Sequence, residues 1–248
     1  MGQRGKTDGS LLGRVALVTG AGKRIGRAVA LGLAKHGADI VVHYGSSERD
    51  ARNAVEEIQK LGRRSIALRA DLRSVAEIRA LFRQAGEEFG RLDILVNSAA
   101  NFLPSRIGDT TEQIWDDALD TNLKSVFFCS QVAAPLLKQA QGAIINFADV
   151  GGILAWSGYI AHCTSKAGVI MLTKCLSKAL APEVRVNAIA PGTITMPGDA
   201  PEIAADYVRR APLKRTGTTE DVVEAVLFLV RSKFITGQTM VIDGGRSV

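Results

Sequence analysis

The stretch from residue 14 to residue 26, RVALVTGAGKRIG, joins a short apolar run to a glycine-rich turn that leads straight into an amphipathic segment. Small residues let the backbone of such a turn approach a pyrophosphate, and the N-terminus of the following helix offers free N–H groups to an anion. The spacing is not GxGxxG, because Ile25 stands where the last glycine would be. The turn alone is also compatible with a tight strand-to-helix connection, but its place at the start of a strand–turn–helix unit favours a dinucleotide site.

The rest of the chain repeats this alternation of short apolar runs with segments of 3.6-residue apolar spacing. Such a pattern is typical of a parallel sheet with helices on both faces. It predicts an α/β fold, a single-domain, Rossmann-type doubly wound parallel sheet of about seven strands, over residues 13–248 behind a flexible leader at 1–12. The seven predicted strands are 14–19, 39–44, 64–70, 92–97, 142–148, 183–190 and 238–243.

Composition and charge limit the kinds of partner that the chain is expected to bind. The 248 residues are 46% hydrophobic and 23% charged, with a formal net charge of +6 and three cysteines. The cysteines form no CxxC pair, so we expect a reduced, cytoplasmic setting and no metal. No apolar run approaches the ~18 residues of a membrane span, and the basic residues are spread over helix faces without a nucleic-acid-binding motif. We therefore expect a small-molecule substrate, with neither a membrane nor a nucleic-acid partner.

The end of the second strand indicates which dinucleotide is bound. An acidic residue there would bind the 2′-hydroxyl of NAD and repel the 2′-phosphate of NADP. The strand ends in HYGSS (43–47), which has no carboxylate, whereas Lys23 and Arg24 bring positive charge and Ser46 and Ser47 bring hydroxyl donors. The sequence predicts NADP(H) as the cofactor.

Several motifs together resemble the short-chain dehydrogenase/reductase family over about residues 13–245. They are TGAGKRIG at 19–26, ADL at 70–72, VNSAA at 96–100, TNLKS at 121–125, NAIAPG at 187–192 and ITGQTMVIDGG at 235–245. The resemblance implies a nicotinamide cofactor. The predicted cofactor-binding residues are Gly20, Lys23, Arg24, Ile25, Tyr44, Ser46, Ser47, Asp71, Leu72, Asn97, Ala99, Ala100, Lys166, Pro191, Gly192 and Ile194.

Within the family, three residues resemble the pteridine reductase branch, which includes dihydropteridine and dihydromonapterin reductases. Arg24 replaces the central glycine of TGxxxGxG, Phe102 matches an aromatic residue that stacks on the pterin, and Asp149 stands where most of the family has serine. Ser46 departs from the branch, which has arginine there. Each feature also has a structural explanation, since Asp149, for example, can cap a turn. The predicted substrate-binding residues are Arg24, Phe102, Tyr159 and Met196.

The stretch YIAHCTSKAG (159–168) departs from the family at the reacting centre. The resemblance implies a catalytic group at Asn122, Asp149 and Lys166, with His162 in place of the usual tyrosine. Residues 162 and 166 share a helical face. Three hypotheses stay open: His162 is the proton donor, protons come through Asp149, Lys166 and water, or the protein binds NADP(H) without turnover.

The substrate and the assembly follow from resemblance alone. The segment 196–212 would close over the substrate, with Met196, Pro197 and Tyr207 as candidate wall residues and Trp156 as a possible cover. The family resemblance implies a homotetramer formed through helices around 113–139 and 158–181. A pteridine is the favoured substrate, and a 3-oxoacyl thioester or another ketone is the alternative.

Overall fold

The structure, a computed structural model, describes residues 10–248 except positions 197 and 200. Seven parallel strands form one sheet in these residues. Their bounds are β1 (Val15–Val18), β2 (Asp39–Tyr44), β3 (Ser65–Arg69), β4 (Ile94–Asn97), β5 (Ala143–Phe147), β6 (Arg185–Pro191) and β7 (Thr239–Ile242).

Helices connect the strands, as the apolar spacing predicts. The α-helices are α1 (Arg24–Lys35), α2 (Glu48–Lys60), α3 (Val75–Phe89), α4 (Glu112–Leu119), α5 (Ser125–Gln139), α6 (Ile160–Leu180), α7 (Pro201–Arg210) and α8 (Thr219–Arg231). A π-helical turn at Asp120–Lys124 joins α4 to α5, and a 3₁₀ turn at Val150–Gly152 follows β5.

The strand order is β3-β2-β1-β4-β5-β6-β7. The chain builds outward from β1 to β3 and then returns to place β4 on the other side of β1, where Leu17 is in register with both Val41 of β2 and Leu95 of β4. A doubly wound sheet binds ligands at this reversal, outside the carboxyl ends of the strands. The predicted fold class and strands are confirmed.

Alternate residues of β1 supply the two faces of the core. Ala16 and Val18 pack in one apolar cluster, which includes α1 and α8, and Val15 and Leu17 pack in a second, which includes α3 and α5. A strand that is buried on both faces needs apolar residues at every position, since successive side chains point to opposite faces. This explains the unbroken run VALV.

The packed fold already includes residues before position 13. Leu11 is 1% exposed, and its N–H donates to the carbonyl oxygen of His36. The predicted boundary of the leader at residue 12 is therefore too late, because Leu11 fills the apolar cluster beside α1. Residues 1–9 lie outside the described part of the chain. None of the helices that the structure describes is long and apolar enough to cross a membrane.

Candidate active site

The glycine-rich turn after β1 is held against the start of α1. A Cβ on Gly26 would lie 2.4 Å from the carbonyl oxygen of Gly20, so a side chain at position 26 would push the turn away from the helix. Arg24 has φ +48°, in the left-handed region that glycine adopts most easily. The backbone thus shows why the family motif has glycine at the position of Arg24.

The N-terminus of α1 is open to a ligand. Its N-cap, Lys23, makes no side-chain hydrogen bond to the first N–H groups of the helix. A cavity of about 600 Å³ extends from there across the sheet edge. The turn, the helix end and the cavity fit the pyrophosphate and adenosine of a dinucleotide.

Five of the predicted cofactor residues, besides the glycine-rich turn itself, line this cavity. Ser46, Asp71, Leu72, Ala99 and Ala100 line it, whereas Pro191 and Gly192 line the adjoining cavity at the end of β6. Asp71 is paired with Arg73 (2.8 Å), and that guanidinium lowers the pKa of the Asp71 carboxyl. Arg73 therefore places a positive charge at the adenine end of the groove.

Three predicted cofactor residues face elsewhere. Tyr44 lines a separate depression with Val55, because even positions of β2 point into the core beside α2. Ser47 is the N-cap of α2 and lines an outer depression. The side-chain amide of Asn97 donates to Oδ1 of Asn146 (2.9 Å) inside the sheet, so its side chain does not reach the groove.

The two basic residues of the turn have acidic partners. Lys23 pairs with Asp50 (3.1 Å), and the Arg24 guanidinium makes two hydrogen bonds to Asp199 (2.8 and 3.1 Å). The bonds to Asp199 raise the pKa of Arg24, and Arg24 lowers the pKa of Asp199. Arg24 thereby bridges the phosphate turn and the segment after β6.

Two residues that sequence reasoning missed hold the turn in place. Oγ1 of Thr19 accepts the N–H groups of Ser98 and Ala99 (2.9 and 3.0 Å). His43 is 2% exposed and contacts the turn through Nδ1, which accepts the N–H of Gly20 at 3.1 Å. A polar side chain inside an otherwise apolar strand, as in DIVVHY, is the signal that would have indicated His43.

A second cavity, of about 670 Å³, adjoins the first and shares Arg24, Ile25 and Ala100 with it. Asp149, His162, Lys166 and Ile194 line it. The predicted reacting centre and the predicted dinucleotide groove are therefore neighbours along one continuous surface.

Lys166 lies at the base of this second cavity. Its Nζ donates to the carbonyl oxygen of Phe147 at 2.7 Å, and the residue is 4% exposed. Burial lowers the pKa of Lys166 to about 8, and the nearby carboxylate of Asp149 opposes that shift. Gly152 makes this packing possible, because a Cβ there would lie 2.7 Å from the backbone of Lys166.

His162 lies between two oxygen acceptors. Its Nδ1 is 3.3 Å from the carbonyl oxygen of Asn101, and its Nε2 is 3.9 Å from Oδ2 of Asp149. Nε2 is buried and has no hydrogen-bond partner among the described residues. Asp149 also accepts the N–H of Gly151 (2.6 Å), so it caps the 3₁₀ turn and faces the cavity at once.

Asn122 lies behind this centre and does not line the cavity. Its Oδ1 accepts the N–H of Asn101 (2.8 Å), and its Nδ2 donates to the carbonyl oxygen of Asn101 (3.1 Å) and to Ser165. Asn122 therefore fixes the peptide group that accepts Nδ1 of His162. The side chain of Asn122 is thus held by Asn101 and Ser165, and its catalytic role stays a prediction.

Aromatic rings surround His162. Phe102 stacks on Tyr159 (centroids 4.2 Å apart, 15° between planes) and meets the His162 ring edge-on, while Trp156 lies parallel to that ring at 6.3 Å. Phe102 and Trp156 line the cavity, whereas Tyr159 supports Phe102 from behind. Tyr159 is not among the residues that line this cavity, so its role as a wall residue stays a prediction.

The remaining wall comes from the segment after β6. Met196 lines a different groove, between α1 and α8, because it packs against the apolar cluster beneath α1. Met196 is not among the residues that line the second cavity, so its contact with substrate stays a prediction. Tyr207 of α7 does line the cavity, and its hydroxyl donates to the carbonyl oxygen of Asp243. Pro197 lies outside the described residues.

Comparisons with known proteins agree with this architecture. A family model described as enoyl-(acyl carrier protein) reductase matches residues 20–247. The 3-oxoacyl-(acyl-carrier-protein) reductase of Staphylococcus aureus is 41% identical over 239 residues, covering 93% of this chain and 96% of that protein.

Solved structures are similar over nearly the whole chain. A short-chain dehydrogenase from Burkholderia cenocepacia in complex with NADP superposes with a TM-score of 0.91 at 33% identity, covering 96% of this chain and 99% of that one. A 7α-hydroxysteroid dehydrogenase in complex with NADH and a 7-oxo bile acid has a TM-score of 0.90 at 31% identity, covering 96% of each chain.

Proposed function

Because the chain belongs to the short-chain dehydrogenase/reductase family, we propose that it is an NADPH-dependent reductase of 3-oxoacyl thioesters or related ketones, with His162 as its proton donor. It is an NAD(P)-dependent oxidoreductase by family; the substrate class, the choice of NADPH and the role of His162 are the proposal. The name of the Staphylococcus aureus relative supports a 3-oxoacyl thioester ahead of the pteridine that the sequence motifs favoured.

One observation carries the proposal. Nε2 of His162 is buried, lacks a hydrogen-bond partner among the described residues and lies 3.9 Å from Asp149 on the wall of the cavity that also contains Lys166. A buried polar atom without a partner costs roughly 1–3 kcal/mol. A substrate oxygen in this cavity would supply the missing partner.

The chemistry assigns a definite task to each residue. The bound cofactor supplies a hydride, and the carbonyl oxygen of the substrate then needs a proton to become a hydroxyl. An oxygen lies near each ring nitrogen of His162, the carbonyl oxygen of Asn101 near Nδ1 and Oδ2 of Asp149 near Nε2, and in the proposed reaction His162 gives that proton from Nε2. The ammonium of Lys166, fixed by Phe147, holds positive charge beside the developing oxyanion.

Charge favours NADPH over NADH. The groove has Arg69 and Arg73 at its adenine end and Lys23 and Arg24 at the phosphate turn, and the end of β2 brings no carboxylate to it. Both ion pairs at the turn, with Asp50 and with Asp199, have a solvent-exposed cation and are screened by solvent, so a phosphate can displace them at little cost.

The test is NADPH oxidation by the purified protein with acetoacetyl-CoA, followed at the absorbance of the reduced nicotinamide. We expect turnover with NADPH and at least tenfold weaker turnover with NADH. Absence of turnover with acetoacetyl-CoA and with uncharged 3-oxo esters, in protein that binds NADPH, would overturn the reductase proposal. Equal rates with both nucleotides would overturn the NADPH preference.

Pteridine reduction is the second candidate. The observation that favours it is the position of Phe102, which lines the cavity beside Arg24 and Asp149, so all three residues of the pteridine pattern share one wall. A flat ring could stack on Phe102. Turnover with 7,8-dihydrobiopterin that exceeds turnover with acetoacetyl-CoA would favour this candidate.

The cell compartment and the assembly are part of the same proposal. We place the protein in the cytoplasm as a homotetramer, on the family resemblance and on its reduced cysteines. Binding of NADPH without turnover of either substrate would instead support a regulatory role, which the departure at His162 left open.

A further inference from the structure

We infer that His43 is a positioning residue for the cofactor: its Nδ1 holds the phosphate-binding turn through the N–H of Gly20. This inference rests on the proposed cofactor and adds a residue outside the family motifs quoted above. It concerns affinity for the nucleotide and not the proton transfer at His162.

His43 touches the turn with both its main chain and its ring. Its carbonyl oxygen accepts the N–H of Ala21 (2.9 Å), and its Nδ1 accepts the N–H of Gly20 (3.1 Å). On the other side Nε2 lies 3.1 Å from the carbonyl oxygen of Ala70. One side chain therefore connects the turn after β1 to the end of β3, across the cavity that it helps to line.

These contacts fix the state of the ring. Gly20 offers a donor, so Nδ1 must carry a lone pair, and Ala70 offers an acceptor, so Nε2 must carry the hydrogen. Only the neutral Nε2–H tautomer satisfies both. Burial agrees with this assignment, since it lowers the pKa of His43 to about 4.

The position of Gly20 explains why its hydrogen bond to His43 matters for the shape of the turn. Gly20 has φ +65°, and its backbone lies against Ala99 on one side and Gly26 on the other, so the turn has a single compact path. The hydrogen bond from the N–H of Gly20 to Nδ1 of His43 fixes the course of the turn. The N–H groups at the start of α1 stay available to a phosphate. Loss of the Nδ1 acceptor would leave a buried donor unpaired and let the turn move by a fraction of an ångström.

Two amide variants separate this role from a general structural one. In His43→Asn the amide oxygen lies near the place of Nδ1 and can still accept the N–H of Gly20, whereas Ala70 loses its donor. In His43→Gln the longer amide reaches Ala70, and Gly20 loses its acceptor. Both variants place an uncharged amide at position 43, and each loses one hydrogen bond, so their thermal unfolding midpoints should fall by similar amounts.

The measurement is the dissociation constant for NADPH, from the change in its fluorescence on binding. We expect His43→Asn to bind NADPH within about threefold of the wild type and His43→Gln to bind it at least tenfold more weakly, with a larger effect of His43→Gln on KM for NADPH than on kcat. The ¹⁵N shifts of the His43 ring should also report the neutral Nε2–H tautomer before any nucleotide is added.

Equal affinities in the two variants, or a kcat that falls as far as the affinity, would overturn the inference. A charged ring or the Nδ1–H tautomer in the ¹⁵N spectrum would overturn it as well. These outcomes differ from a failure of the proposed function, in which the wild type binds NADPH without turning over a substrate, or binds neither NADPH nor NADH.

Discussion

Nε2 of His162 lies 3.9 Å from Oδ2 of Asp149, on the wall of the cavity that also holds the buried ammonium of Lys166. The ring is therefore placed between a carboxylate and a cation, at the position where the family has tyrosine. Since Nδ1 lies near a main-chain oxygen, the ring can present its other nitrogen to a substrate. The site therefore has, in His162, a side chain that can carry a proton at the position of the family tyrosine.

Replacing His162 by phenylalanine tests whether that proton is used. The variant keeps a flat ring between Phe102 and Trp156 and removes both nitrogens, so we expect kcat to fall by ~100-fold or more, as for loss of a general acid. The dissociation constant for NADPH should change little. His162→Tyr is the matched control, because it restores a proton donor, and it should retain turnover. Wild-type rates in His162→Phe would show that protons come from elsewhere.

The pH dependence of turnover should report Lys166. Burial lowers its pKa to about 8, so its positive charge is lost as the pH rises through that value. We expect kcat/KM to fall up to tenfold per pH unit above about 8, because the oxyanion and the cofactor lose their cation. Lys166→Arg stays charged at these pH values and should remove the fall, at a lower overall rate. A flat wild-type profile to pH 10 would contradict this.

The lowered pKa of Lys166 also predicts that the free energy of unfolding rises with pH over the range in which turnover falls. The folded pKa of about 8 lies below the ordinary 10.5, so between these values the unfolded chain binds more protons than the folded chain. The free energy of unfolding should therefore gain a favourable contribution as the pH rises from about 8 to 10.5. Urea unfolding of Lys166→Met, compared with the wild type at pH 7.5 and 9.5, should lack this contribution. Identical pH trends in the two proteins would exclude a buried, destabilised ammonium.

Arg24 and Asp199 form an ion pair that should compete with the cofactor. In Asp199→Asn the guanidinium loses its carboxylate partner, so we expect NADPH to bind several-fold more tightly at low salt, and the gain to shrink in 0.5 M salt. Arg24→Gln should weaken NADPH binding by about tenfold. Binding titrations of both variants at two salt concentrations check this. An unchanged affinity in Arg24→Gln would show that Arg24 makes no phosphate contact.

The contact between Gly26 and Gly20 predicts a large effect of one methyl group. Gly26→Ala should abolish measurable NADPH binding and destabilise the fold by ~1–3 kcal/mol, since its Cβ would lie 2.4 Å from the oxygen of Gly20. Gly86→Ala in α3 is the control: its Cβ would meet only Leu136, at 3.6 Å, and the change should stabilise by ~0.5–1 kcal/mol. Thermal unfolding and NADPH titration of both variants measure the contrast. Normal binding in Gly26→Ala would contradict the role of this turn.

The sequence by itself determined the fold and the location of the site. Periodicity fixed the strands because a doubly covered parallel sheet needs continuous apolar runs such as VALV, and the glycine-rich turn after the first run located the cofactor end. The spacing of His162 and Lys166 was enough to place both on one buried face of α6. The apolar runs, the glycine-rich turn and the helical spacing are local features of the sequence. The position of the site at one edge of the sheet follows from the topology that these local patterns predict.

Tertiary structure decided which side chains face the groove. Tyr44 and Asn97 are the last residues of β2 and β4, at the correct edge of the sheet, yet their side chains point into the core, because strand alternation assigns them to the other face. The roles of His43 and Asn122 depend on acceptors and donors about 20 residues or more away in sequence, at Gly20 and Asn101. A local pattern can indicate the polar residue, as it does for His43 in DIVVHY, but it does not show the partner, so only the folded chain shows which groups these hydrogen bonds join.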